Sequence, residues 1–140
     1  MTMEEVDQEL EALRLNKAEK LISQETMPTT IVKLHTAEEY KKLIEKYPNK
    51  IMVIDFTAVW CGPCRFYAPI FEKVQNEFHK DFIFAKVDVD ENQALAMQYQ
   101  ITGVPTTLFV KNGNVLNKGV GAMNYEMLKK YLETIKPLSN

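Results

Sequence analysis

Hydrophobic and polar positions follow two rhythms along this chain, and the order in which they alternate outlines a fold from residue 31 onward. Ile31–Leu34 is a short apolar run of strand character. Ile51-Met52-Val53-Ile54-Asp55-Phe56 is longer, nearly continuous and broken by a single acid, the pattern of a strand buried on both faces. Phe82–Val89, Thr106–Val110 and Val115–Gly119 complete the strands, the last two joined across Asn112-Gly113, a hairpin turn signal. Helical stretches lie between them. Thr36 and Glu39 form a capping box opening a helix to about Tyr47, stopped at Pro48-Asn49. A longer helix is expected from about Cys61 to Phe78, kinked at Pro69. A short one spans Asn92–Tyr99, and a last one, capped by Asn124, runs to about Ile135 and ends at Pro137.

The order βαβαβαββα predicts an α/β fold. Early crossovers imply parallel strands, the late hairpin adds antiparallel ones, and helices cover the mixed sheet. The first 30 residues differ: Val6, Leu10, Leu13, Ala18 and Leu21 recur at three- to five-residue intervals among charges, suggesting an amphipathic helix. Met27-Pro28-Thr29-Thr30 then reads as a linker. The expected organisation is an N-terminal extension over 1–30 and one domain over 31–140. The extension shows no chemistry of its own. A helix docked on the domain or loosely tethered is the simple reading, and self-association through its apolar stripe the alternative.

Composition narrows the function classes. The 140 residues are 46% hydrophobic and 26% charged with a net charge of −2, which argues for neither nucleic acid nor an anionic membrane as partner. No apolar stretch approaches the roughly 20 residues a spanning helix needs. The N-terminus is acidic early and lacks the apolar core of a secretory signal, and its acids are unlike a transit peptide. A soluble, cytoplasmic monomer is the expectation.

Chemistry concentrates in the two cysteines, three positions apart in Trp60-Cys61-Gly62-Pro63-Cys64. They fall where a buried strand ends and a helix begins. Unpaired N–H groups and about half a positive charge at such a helix start favour a thiolate over a thiol. The cysteine pKa in such sites drops from about 8.5 toward about 7, lifting the thiolate share at neutral pH from a few per cent to roughly half. Cys61, ahead of the first turn, is expected to be exposed and to attack a target disulfide. Cys64, about one turn inward, is expected to be shielded until it resolves the mixed disulfide. Pro63 fits the first turn, where its missing N–H costs nothing, and Gly62 leaves the approach open. Two blander readings compete. A zinc site needs four ligands, and His35 and His79 lie at no recognised spacing from this single pair. A purely structural bridge over so short a loop constrains the unfolded chain little.

With these residues in view, the chain from about 31 to 138 resembles the thioredoxin family. The resemblance rests on five segments in order: Val53-Ile54-Asp55-Phe56, Trp60-Cys61-Gly62-Pro63-Cys64, Pro69 in the following helix, Gly103-Val104-Pro105-Thr106, and Lys111-Asn112-Gly113. It implies a four- to five-stranded mixed sheet and a cis peptide before Pro105, beside the cysteines. Val104 would offer backbone hydrogen bonds to an extended substrate segment. Trp60, Val104, Pro105, Gly121 and Ala122 would form a flat apolar rim, with Gly62 and Pro63 also meeting the substrate. An acid inside a buried strand is costly unless paired or neutral, and the resemblance assigns Asp55 the role of accepting the Cys64 proton. Lys86 matches the lysine near that acid. Thr57, Val59 and Arg65 depart from the commonest pattern, which points to tuning of potential or partner choice.

The implied function is protein-disulfide reduction in cell redox homeostasis. No cofactor is bound, since the dithiol carries both electrons. The implied partners are disulfide-bearing targets and a thioredoxin reductase, an NADPH-dependent flavoprotein. The rivals are a disulfide oxidase or isomerase of the same fold and a non-catalytic binding module. Gly62-Pro63 resembles the reducing members.

Overall fold

A computed structural model describes residues 27–138. The helix expected over the first part of the chain lies outside them. Strands β1 (Val32–Lys33), β2 (Ile51–Thr57), β3 (Ile83–Asp88), β4 (Thr106–Lys111) and β5 (Asn114–Val120) alternate with helices α1 (Ala37–Lys46), α2 (Gly62–Phe78), α3 (Gln93–Gln98) and α4 (Tyr125–Ile135). The sheet order is β1-β3-β2-β4-β5. β3 pairs parallel to β1 and β2, while β4 runs antiparallel to both β2 and β5. The expected mixed α/β sheet is therefore present with five strands.

Local chemistry sets the element ends. Thr36 caps α1, its Oγ1 accepting from the Glu39 N–H at 3.1 Å. The reciprocal half of the expected box is displaced by one residue: Glu39 Oε2 accepts from the His35 N–H at 2.9 Å. Asn92 and Asn124 cap α3 and α4 through their side-chain oxygens. The helix expected over Asn92–Tyr99 keeps only Gln93–Gln98 between its caps. α2 continues through Pro69 as one helix. After α4 the chain adds a single 3-10 turn, Lys136–Leu138, that accommodates Pro137. β1 shrinks to two residues, with the Leu34 N–H still donating to the Lys86 carbonyl at 2.9 Å. The two-residue β4–β5 turn places Asn112 at φ 52° and Gly113 at φ 82°, matching the twist of the hairpin.

The central strand explains the two-layered core. Alternating side chains of β2 point to opposite faces. Met52, Ile54 and Phe56 join Tyr40 and Leu95 on one side; Ile51 and Val53 join Tyr67, Phe71, Phe84, Phe109, Leu128 and Leu132 on the other. Removing such large side chains from water stabilises the fold by about 1.5–3 kcal/mol each, before chain entropy is counted. Met27 is buried in the first layer, and the Thr29 carbonyl accepts from Gln75 Nε2 at 2.7 Å, so the segment read as a linker is packed against the domain.

Candidate active site

β2 delivers the chain to the start of α2, and the turn between them holds the cysteines. Cys61 has extended backbone (φ −92°, ψ 114°) and occupies the N-cap of α2. Its Sγ accepts the Cys64 N–H at 3.2 Å, taking the place of the oxygen in an ordinary serine or aspartate cap. Pro63 stands in the first turn, where no N–H is needed. The two cysteines are joined as a disulfide, their Cα atoms 5.3 Å apart. A methyl group added at Gly62 would meet open space.

The expected asymmetry in exposure is not observed: Cys61 and Cys64 are each 4% exposed. The reason is local packing. Ala58 and the two cysteines form a small buried cluster, flanked by half-buried Val89 and Val104. The Val104 carbonyl oxygen lies 3.7 Å from Cys61 Sγ. The Val104–Pro105 peptide is cis, as the resemblance implies.

Trp60 (69% exposed) and Ala122 are exposed and Val104 is half-buried, whereas Pro105 is buried and lies beneath the expected rim. Its carbonyl accepts from the Gly121 N–H at 2.8 Å, tying the two rim segments together; Gly121 sits at φ 92°, where a side chain would be strained. Trp60 and Val104 border one shallow hollow with Ile101 and Gly103. Gly62, Pro63 and Ala122 border an apolar groove with Phe66, Ile70 and Met123. Phe66, 80% exposed, is a contact surface the sequence reading passed over; its place among exposed helix positions, one turn after Gly62, was the available signal. The Trp60 indole N–H donates to Asp90 Oδ2 at 2.8 Å, a tether between loops 30 residues apart. Arg65 Nη2 donates to the Val59 carbonyl at 3.2 Å.

Asp55 is 1% exposed in the middle of β2, the strand that leads to the cysteines. It pairs in register with Lys86 on β3 and Thr107 on β4. Its Oδ1 makes no hydrogen bond. Burial pushes its carboxyl up to about 6, with the half-buried Lys86 ammonium pulling partly back. On the same face the Tyr67 hydroxyl meets Thr107 Oγ1 at 2.8 Å, a pair the sequence reading also missed. Among the described residues, no three His, Cys, Asp or Glu side chains gather as a metal site would require.

A redox-interchangeable cysteine pair, its leading sulfur held by a helix start, defines a thiol–disulfide oxidoreductase. The family model for thioredoxin matches residues 31–134. The chain is 42% identical over 105 residues to an H-type thioredoxin of Brassica oleracea, covering 74% of this chain and 85% of that one. It is 39% identical over 97 residues to thioredoxin-1 of Caenorhabditis elegans, covering 69% and 84%. The X-ray structure of Fasciola hepatica thioredoxin superposes with a TM-score of 0.69 at 38% identity, over 74% of this chain and 98% of that one. The chain belongs to the thioredoxin family, and its activity is protein-disulfide reduction carried by Cys61 and Cys64. Among the described residues no helix is long and apolar enough to cross a membrane.

Proposed function

We propose that Cys61 is the attacking sulfur and Cys64 the resolving one. The observation that carries this is the cap: in the dithiol form the Cys64 N–H and the α2 N-terminus favour negative charge on Cys61 Sγ, while Cys64 lies within the helix. The Cys61 thiolate attacks one sulfur of the target bridge, and the other leaves as a thiolate that takes a proton. Cys64 then transfers its proton to the Asp55 carboxylate, and its sulfur attacks Cys61 Sγ. The target's remaining sulfur departs with the electron pair and is protonated. The target has gained two electrons and the protein has lost two. The raised affinity of Asp55 for a proton suits this transfer near neutral pH, and Lys86 limits how far it is raised.

Trp60, Gly62, Pro63, Val104, Gly121 and Ala122 supply the surface on which the target rests, Val104 through its backbone, with Pro105 fixing that segment from below. A thioredoxin reductase returns the electrons, the compartment is the cytoplasm, and the catalytic unit is the domain over 31–140. Family members need no bound cofactor, because the dithiol holds both electrons. Cys64→Ser should accumulate mixed disulfides at Cys61, detected by mass spectrometry. Cys61→Ser should abolish insulin-disulfide reduction. Unchanged reduction by Cys61→Ser would overturn the assignment. A potential near about −270 mV fits the reducing direction, and one near about −120 to −180 mV an oxidant.

A further inference from the structure

Tyr67 and Thr107 take no part in the sulfur chemistry, yet Thr107 lies across the strand from its buried acid and is joined to the Tyr67 hydroxyl. Both are fully buried, Tyr67 on α2 and Thr107 on β4. Thr107 stands directly across the β2–β4 ladder from Asp55. Strand alternation puts Asp55, Thr107 and Lys86 on the face that α2 covers, the face of Val53, Phe109 and Phe84. The remaining surroundings there are mostly aromatic and aliphatic, α4 adding Leu128 and Leu132. The groups coupled electrostatically to Asp55 are Lys86 from β3 and Tyr67 from α2, and the proposed proton transfer adds Cys64 of α2.

Hydrogen counting gives the pair its significance. Two hydroxyls hold two hydrogens, and their mutual bond at 2.8 Å uses one. The other is free to turn. Asp55 Oδ1 accepts no hydrogen bond here, so the pair acts on it as a dipole, its free hydrogen turned toward a charged Asp55 and a lone pair toward a protonated one. A phenyl ring and a valine would fill the same space with no polar group to satisfy, so packing alone does not call for these hydroxyls.

We propose that the Tyr67–Thr107 hydroxyl pair is a positioning element for Asp55, a reorientable dipole that eases the acid between its charged and protonated forms as Cys64 gives up its proton. The proposal rests on the reading of Asp55 as proton acceptor. Burial and the charge of Asp55 both hold the Tyr67 phenol in its neutral, donating form, although its bond to Thr107 works the other way. Without the pair, Asp55 loses its stabilising neighbour and should keep its proton to higher pH.

The test compares the native protein with Tyr67→Phe and with Tyr67→Phe/Thr107→Val. The double variant removes both hydroxyls at nearly constant shape, so that the fold is retained, which near-ultraviolet circular dichroism checks. Carboxyl NMR should show the Asp55 midpoint rising by about half a pH unit or more in the double variant, and by less in Tyr67→Phe, which leaves the Thr107 hydroxyl free to turn. The pH profile of mixed-disulfide resolution should move by the same amount. A midpoint in the folded double variant that rises by less than about half a pH unit overturns the proposal. If the Asp55 midpoint rises while the resolution profile stays fixed, the pair acts on the acid as stated and the proton-acceptor reading fails instead.

Discussion

At the scale of single residues, Asp55 concentrates the tension between stability and chemistry. Its carboxyl binds a proton more tightly folded, at about 6, than at the ordinary value of 3.8. Between these values the native state holds more protons than the unfolded state, so stability falls as pH rises through that window and levels off above it. The difference corresponds to a destabilisation of about 3 kcal/mol at neutral pH. Asp55→Asn should therefore unfold at higher urea concentration at pH 7, gain progressively less as pH falls from 6, and gain nothing from this source below about pH 4. It should also slow resolution by Cys64. An equal gain at pH 4 and pH 7 would show that the carboxylate is not what destabilises the fold. The acid was visible in the sequence because it interrupts an apolar run. Thr107 was not, since it lies 52 positions away and meets Asp55 only through strand register, and Lys86, 31 positions away, was reached through the family resemblance alone.

At the scale of elements, the caps at Thr36, Asn92 and Asn124 follow from local chemistry and appear where the side chains call for them. The end of α3 does not. It closes through bonds from the Gln100 N–H to the Met97 carbonyl and the Ile101 N–H to the Ala96 carbonyl, with Gln100 at φ 54°. This is the pairing of a Schellman motif, whose left-handed position glycine usually takes. With glutamine there, no local signal marked it, and packing of Ile101 against the core holds it. The β4–β5 turn is the opposite case. A methyl at Gly113 would lie 3.7 Å from Ile44 Cδ1, an ordinary contact, so the cost of Gly113→Ala is backbone strain alone. Denaturant unfolding should register a loss of about 1–2 kcal/mol. A neutral result would mean the turn relaxes to another type.

At the scale of the whole molecule, the sheet order β1-β3-β2-β4-β5 puts β2 at the centre and its end at the cysteines. The scaffold is correspondingly separable from the chemistry. Leu108→Ala, in the fully buried middle of β4, should cost about 2–5 kcal/mol in unfolding free energy. Disulfide reduction per folded molecule should stay unchanged. A fall in that specific rate would mean that strain travels from the core to the cap of α2.

The division between sequence and tertiary structure follows from range. Periodicity, caps, turn residues and the cysteine spacing act within a few positions, so the element order, the hairpin and Cys61–Cys64 at a helix start were all determined by the sequence itself. Contacts across strands and loops depend on register and packing between distant segments, which no local pattern encodes. Only the folded chain decided that both cysteines are covered by Ala58, Val89 and Val104, that Pro105 is buried below the rim, that Trp60 is tethered to Asp90, and that Thr107, joined to Tyr67, lies across the strand from the buried acid.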